Sequence, residues 1–579
     1  MNADPSYSPG TWLGHARLFS RPSHYVALAT VVALALDLVS PHLALNVVST
    51  AVQGAVVAWC TRDFVARRTW RDGPQRTTAV VLGTLAVSLL FVLGKLDVLI
   101  ESLLGEVEPL RALDVLRTYG TVVTVASLAS LYERSPARMQ FLSRLALRPV
   151  QTIVVSYAAA VLVGALLLAL PFSLQETRHA SLFDALFMAT SAVSVTGLSV
   201  VDIPSTYSGF GLFVLLVLVQ LGGLGIMFLF AAFAVLSGRK LSARSEHDLV
   251  ETLGAEARTG FGRTLRFIVV VTLALEFTGA LALLPAMERQ VGLPSAAFHA
   301  LFHAISAFCN AGISSLSGGV AGLGTGALAI IAGLAVIGGL GTPVLFPIWE
   351  RLRGSARMLG LHARLALVTT GILLVAGALG LLLLDAGHGL AGLPFHHKLG
   401  HALFLSASAR TSGFQLAEIP SMSPAALAWL IFLGLVGASP GSTGGGLKTT
   451  TFAVLALSVV AVLRRQSEVV AFGRAVPKED ILRAVALLFC GLSVLALGTT
   501  ALLALEPERP LAAIFEAASA FSTTGMTLGL TSKLSPASRL VVMLLMIVGR
   551  LGPLTLLAAF FDRRRPAEVH YPAQHVQFG

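Results

Sequence analysis

Four glycines, Gly197, Gly312, Gly413 and Gly525, sit in short segments that read alike: SAVSVTGLSV, SAFCNAGISS, SASARTSGFQ and SAFSTTGMTL. They are separated by 115, 101 and 112 residues. The chemistry such a segment can do belongs to its backbone. Glycine admits left-handed and mirror-β conformations that turn successive carbonyls the same way. Four such segments around an axis would offer carbonyl oxygens in place of the water around a monovalent cation. The candidate ligands are the carbonyls of Val195, Thr196 and Gly197, of Asn310, Ala311 and Gly312, of Thr411, Ser412 and Gly413, and of Thr523, Thr524 and Gly525. One loop glycine among the 55 in this chain would say little; four in register signal an internal repeat.

The elements that must position these loops are legible around them. Ten positions before the glycines stand Phe187, Phe302, Leu403 and Phe515, and six before them Ser191, Ser306, Ala407 and Ser519. These mark a short amphipathic helix, ending near Ser194, Asn310, Arg410 and Thr523, whose C-terminal dipole points partial negative charge at the axis. Before each stands a long apolar run, residues 153–170, 267–284, 365–384 and 484–505, able to cross a bilayer as a helix. A second long run follows. It carries Gly222-Gly223-Leu224-Gly225, Gly338-Gly339-Leu340-Gly341, Gly444-Gly445-Gly446 and Gly549-Arg550-Leu551-Gly552, placed 25, 26, 31 and 24 residues after the loop glycine.

Span, short helix, extended loop and span together describe a pore loop, because non-helical backbone at membrane depth must line a water path or be buried in protein. The expected fold is an all-α polytopic membrane protein with four span–pore helix–span repeats in pseudo-fourfold arrangement around one ion pore. The repeats occupy residues 151–238, 239–352, 353–466 and 467–562. Before them, residues 1–150 hold four further transmembrane helices (25–39, 42–59, 77–93 and 110–131), and residues 563–579 form a C-terminal tail.

Composition agrees. Of 579 residues only 12% are charged and 55% are hydrophobic, where soluble chains are about a quarter charged, so a water-soluble enzyme and a disordered scaffold are excluded. The formal charge is +11, and 29 of the 41 basic residues fall in seven clusters flanking apolar runs, from Arg17 and Arg21 to Arg563, Arg564 and Arg565. The alternate loops are acidic or neutral. That asymmetry puts both termini in the cytoplasm and the chain in the inner (cell) membrane, with the lipid bilayer as its surroundings. No cluster is interleaved with aromatics, which argues against nucleic acid as a partner.

Cys60, Cys309 and Cys490 have no disulfide or metal spacing. A membrane-embedded enzyme would need paired acids or a nucleophile with its base. The spans offer only isolated Glu276, expected to face the protein interior, and Lys448, so no catalytic residue and no covalent cofactor is expected.

The motifs SVTGL, NAGIS, RTSGF and STTGM, with QLGGLGIM, GASPGSTGGGLKT and GRLGPLT in the second spans, resemble the ion-translocating membrane subunits of the Trk/Ktr/HKT superfamily of potassium transporters. The resemblance covers about residues 153–561. It implies potassium uptake through a filter with one glycine per repeat, all four glycines going with potassium rather than sodium. A less selective sodium/potassium channel or a cation symporter of the same fold is the alternative, and sodium-coupled, proton-coupled and channel-like transport would share these loops. It further implies a cytosolic nucleotide-binding regulator of the RCK type, with ATP or ADP bound only to that partner, and a homodimer of the membrane subunit.

Two further features lie below the loops. Gly441, Ser442, Thr443, Gly444, Gly445, Gly446 and Lys448 mimic a phosphate-binding loop, but Leu447 separates glycine from lysine and no strand precedes them. They are read instead as a break in the third repeat's second span, since each glycine costs a helix about 1 kcal/mol. The resemblance implies an intramembrane gate there. Arg550 stands in an otherwise uncharged span, where a central arginine costs about 2.5–3.5 kcal/mol on insertion scales. The repeat alignment sets it where Gly223 and Gly339 stand, as a positive barrier below the filter with the glycine-rich loop as neighbour; an ion pair with Glu276 is the competing arrangement.

Overall fold

The computed structural model describes residues 149–175, 180–224, 261–354, 358–416 and 419–560. The four expected N-terminal spans, most of the basic segment after Arg239 and the C-terminal tail lie outside the described residues. The chain divides into two compact units, 1–146 with 169–174, and 147–168 with 175–579. The helices below belong to the second.

Four sets of helices follow one another. The first is α1 (Pro149–Leu168), α2 (Leu182–Val193) and α3 (Gly209–Gly223). The second is α4 (Phe261–Val291), α5 (Leu293–Phe308), α6 (Thr325–Leu340) and α7 (Thr342–Leu352). The third is α8 (Leu361–Leu384), α9 (Phe395–Thr411), α10 (Pro424–Val436) and α11 (Thr449–Leu463). The fourth is α12 (Lys478–Leu505), α13 (Pro510–Ser522), α14 (Pro536–Leu551) and α15 (Pro553–Phe560). The leading helices α4, α8 and α12 contain the runs read from sequence, whereas α1 stops at Leu168, two residues short of its run, and its apolar part, Ile153–Leu168, is too short to count as a span by itself.

Local chemistry starts several of these helices. Ser181 and Asp184 form a reciprocal capping box at the head of α2. Ser208, Ser423 and Ser535 cap α3, α10 and α14 by accepting from the backbone N–H three residues on, and Pro424 and Pro536 fill the first helical position in the latter two.

The two kinds of helix face different surroundings. On α4, Val270, Leu273, Phe277 and Leu281 are exposed at helical spacing, as are Val368, Ile372, Val375 and Leu379 on α8. Such apolar stripes would drive aggregation in water and suit a bilayer. Three described helices, Arg266–Val291, Leu361–Leu384 and Lys478–Leu505, are long and apolar enough to cross a membrane, and α6 with α7 makes a fourth if that bent pair is one span. In α2, by contrast, every residue from Phe187 to Val193 is buried.

The second helices hold two departures from the sequence reading. First, the break is not confined to the third set. The α6–α7 pair bends by 98° at Gly341 (φ 77°), and α14 ends at Gly552 (φ 85°), with α15 opening on Pro553. A left-handed glycine with a proline close behind cannot continue a helix. Second, the repeat element of the third set is not Gly444-Gly445-Gly446. Gly222, Gly338 and Gly549 each press against a carbonyl four residues before the loop glycine, those of Val193, Phe308 and Phe521. In the third set the residue doing this is Gly434, against the Ala409 carbonyl, 21 residues after Gly413. Gly434-Leu435-Val436-Gly437 is therefore the counterpart, Gly437 (φ 62°) matches Gly341 and Gly552, and the glycine-rich stretch is extra chain beyond the break.

Candidate functional site

The loops after α2, α5, α9 and α13 meet. A methyl group on Gly197 would collide with the Ala311 carbonyl oxygen, one on Gly312 with that of Ser412, one on Gly413 with that of Thr524, and one on Gly525 with that of Thr196. The sequence of contacts runs first to second, second to third, third to fourth and fourth back to first, so it closes. Each loop glycine thus lies against the carbonyl that precedes the next loop's glycine, and all four have positive φ, between 64° and 91°.

The back of each loop is tied to its own short helix. The Gly197 and Gly525 N–H groups donate to Ser191 Oγ and Ser519 Oγ, both at 3.1 Å. Ser306 Oγ donates to the Ile313 carbonyl at 2.7 Å. In the third loop Ala407 offers no hydroxyl, and Ser408 Oγ next to it donates to the Phe414 carbonyl at 2.6 Å. Backbone bonds add to this: the N–H groups of Thr196, Ala311 and Thr524 donate to the carbonyls of Ser191, Ser306 and Ser519. With N–H groups engaged behind, the carbonyls of Thr196, Ala311, Ser412 and Thr524 are left facing the neighbouring glycines.

Three loops turn alike and one does not. Two residues before the glycine, Val195 (φ 56°), Asn310 (φ 61°) and Thr523 (φ 51°) are left-handed, a conformation that costs non-glycine residues on the order of 1–3 kcal/mol. The fourth member of the series, Thr411, is the last residue of α9 and not extended as the spacing suggested, and Ser412 caps that helix in ordinary right-handed geometry. Helix α9 is longer, and the loop turn starts later. The other short helices end at Val193, Phe308 and Ser522, within two residues of the expected ends.

Residues 437–448 pass beneath these loops as an irregular segment between α10 and α11. Ser439 N and Thr443 N donate to the carbonyls of Gly339 (2.9 Å) and Gly338 (3.4 Å), and Thr342 N donates to the Gly441 carbonyl (3.2 Å). Asn310 Nδ2 donates to Thr443 Oγ1 at 2.6 Å, and Gly445 N to Thr523 Oγ1 at 2.9 Å. Lys448 Nζ folds back on the carbonyls of Gly444 (2.7 Å) and Gly445 (3.5 Å). Gly446 (φ 71°) closes the segment, and Ser442 Oγ is buried without a partner.

Arg550 is buried, and its two Nη atoms donate to the carbonyls of Thr443 and Gly222. The guanidinium thus ties the irregular segment to α3. The ion pair with Glu276 does not form. Glu276 is buried and accepts from Gln220 Nε2 at 3.0 Å and from Cys309 Sγ at 3.7 Å, linking α4 to α3 and α5. Among the described residues no cluster of His, Cys, Asp or Glu could hold a metal ion.

Two buried polar residues escaped the sequence reading. Glu516 and His303 lie inside α13 and α5 with no side-chain exposure. Both follow the aligned phenylalanine directly, and an acid inside a short helix already assigned to the protein interior was the available signal. Arg410, at the end of α9, is buried too and reaches the Gly437 carbonyl at 3.3 Å.

The family model described as TrkH, cation transport protein, matches residues 122–565. The Ktr system potassium uptake protein B of Vibrio alginolyticus is 36% identical over 432 residues, covering 74% of this chain and 94% of that protein. The potassium/sodium uptake protein NtpJ of Enterococcus hirae is 32% identical over 445 residues, covering 75% and 98%. The crystal structure of the potassium transporter TrkH from Vibrio parahaemolyticus superposes with a TM-score of 0.60 at 19% identity, covering 82% of this chain and 97% of that one, a likeness of fold. The motifs, the helix order and these matches agree: the chain belongs to the TrkH family of cation transport proteins, the family of the Trk and Ktr membrane subunits.

Proposed function

We propose that this chain takes up potassium across the cytoplasmic membrane through a pore formed by its four repeats, with both termini in the cytoplasm. The observation that carries the reading is the closed circuit of contacts in which each loop glycine abuts the carbonyl before the next loop's glycine. Carbonyls fixed in such a ring can replace the hydration shell of a monovalent cation without the charge of a side chain. The filter is then Val195–Gly197, Asn310–Gly312, Ser412 with Gly413, and Thr523–Gly525, with Thr411 as the residue that ends the helix behind it. The segment Gly441–Gly446 with Lys448 is the gate, and Arg550 adds a positive barrier while anchoring it. A cytosolic nucleotide-binding regulator of the RCK type and a second copy of the chain complete the assembly, ATP or ADP acting through the regulator. In the alternative reading the pore passes sodium as well, as the name of the Enterococcus relative would suggest.

Flux from purified protein in liposomes under potassium, rubidium and sodium gradients tests the proposal. Selective potassium and rubidium flux is expected. Comparable sodium flux moves the reading to the alternative, and no cation flux overturns it. Co-purification with an RCK-type subunit, and flux that responds to ATP or ADP only in its presence, tests the partner.

A further inference from the structure

One register position in the short helices is not explained by the ring contacts. Nine residues before the glycines stand Met188, His303, Phe404 and Glu516, all buried; two residues after them stand Ser199, Ser314, Gln415 and Thr527. In the second and fourth sets the first holds the second, while in the first set the two only lie near each other, Ser199 Oγ donating to the Val201 carbonyl. Ser199 Oγ lies 3.3 Å from Met188 Sδ, Ser314 Oγ 2.9 Å from His303 Nε2, and Thr527 Oγ1 donates to Glu516 Oε2 over 2.9 Å. Each contact joins the short helix to the chain just past the glycine. The three acceptors differ in strength. A thioether accepts weakly, an imidazole better, and a carboxylate best.

The fourth repeat has the strongest of these ties, and the third depends on it. Phe404 can hold nothing polar, and Gln415 Nε2 turns instead to the Thr527 carbonyl at 3.5 Å. Thr527 Oγ1 also accepts from Gly529 N at 3.0 Å, and Thr531 Oγ1 donates to the other oxygen of Glu516. Two of the four loops therefore converge on Thr527, which Glu516 holds. Burying a carboxyl group is costly unless it is fully hydrogen-bonded. Among the described residues no cationic side chain pairs with Glu516, and both hydroxyls it accepts belong to the chain leaving its own loop.

We propose that Glu516 is a positioning residue for ion selection. Through Thr527 and Thr531 it fixes the far end of the fourth loop, and through Thr527 and Gln415 that of the third, so that the carbonyl ring keeps a spacing suited to potassium. The proposal rests on the filter reading above. It also ranks the repeats: loss of Glu516 disturbs two loops, loss of His303 one.

The test is the potassium-to-sodium flux ratio in proteoliposomes for Glu516→Ala, Glu516→Gln, Thr527→Val, the Glu516→Ala/Thr527→Val double variant and His303→Leu, with Gly525→Ser as the filter control. Glu516→Ala and Thr527→Val should each lower the ratio by about fivefold to tenfold, as expected when a buried hydrogen bond of ordinary strength is lost. The double variant should be no worse than Glu516→Ala, because removing the carboxyl group already breaks the tie to Thr527. Glu516→Gln keeps an acceptor and should stay within about twofold of the parent, and His303→Leu should fall between. A role in folding alone would lower the yield of stable protein and leave the ratio unchanged, which overturns the proposal. Additive losses in the double variant overturn it as well. If Glu516→Ala does not fold, Thr527→Val, nearly isosteric, decides the matter alone. A ratio altered by Gly525→Ser but not by Thr527→Val sinks this proposal and leaves the filter reading standing; a ratio altered by neither sinks both.

Discussion

The third repeat differs from the other three twice, on both sides of its loop. In repeats one, two and four a strained left-handed residue turns the chain two positions before the glycine; in the third, helix α9 runs through that position without strain. Among the described residues it is only in the third set that a second helix, α10, gives way to a twelve-residue irregular segment, 437–448, before helix resumes at Thr449. That segment occupies the space beneath the loops of the second and fourth repeats, bonding Asn310 and Thr523, two of the three strained residues. The four sets are therefore not equal quarters: the first, second and fourth supply strained turns, and the third supplies the chain that bonds two of them.

The largest expected effect comes from removing part of the irregular segment between α10 and α11. Deletion of residues 441–446 should raise basal potassium flux by about tenfold or more, the result of lowering a barrier by ~1.4 kcal/mol. Equal flux with normal membrane expression would mean that the segment does not obstruct the path. Next comes a change shared by all repeats. Gly197→Ser sets a Cβ against the Ala311 carbonyl at φ 91°, and should lower the potassium-to-sodium permeability ratio by about tenfold. An unchanged ratio would remove Gly197 from the filter.

Arg550 joins the two kinds of repeat, holding the Thr443 and Gly222 carbonyls together. Arg550→Ala should speed potassium flux about threefold to tenfold while keeping selectivity, and Arg550→Lys should recover only part of the restraint, because an ammonium lacks the fork that reaches both carbonyls. Protein that unfolds without faster flux would make the arginine purely structural. The smallest effect is expected where the first and fourth repeats meet, away from the third. Asp184 and Arg539 pair at 2.5 Å while partly exposed, so Asp184→Asn should cost about 1 kcal/mol of stability, read as a modest drop in melting temperature in detergent, with flux unaltered.

Periodicity made most of the architecture legible. Runs of apolar residues set the long helices because their length must match a bilayer, whereas the serines and prolines that start the next helices were identified as caps only in the fold. The four glycines were legible because a backbone requirement restricts residue type regardless of surroundings. The repeat element of the third copy was not: Gly444, Gly445 and Gly446 fit the pattern by composition, whereas Gly434 fits it by contact. A glycine chosen for helix packing and one chosen for loop freedom look the same in a sequence.

By itself the sequence determined that this chain is built of long apolar runs suited to a membrane, with four glycine-bearing segments that read alike, because hydropathy and spacing are properties of the chain alone. Only the tertiary structure decided which carbonyl faces which glycine, that Thr411 ends a helix, that Gly341 bends one by 98°, and that Arg550 holds two carbonyls instead of Glu276. Each of these depends on partners a hundred or more residues away, or on which of two local conformations the packing favours. A buried charge makes this plainest. Its cost is fixed by its residue type, but its partner is chosen by whatever the fold brings within hydrogen-bond reach.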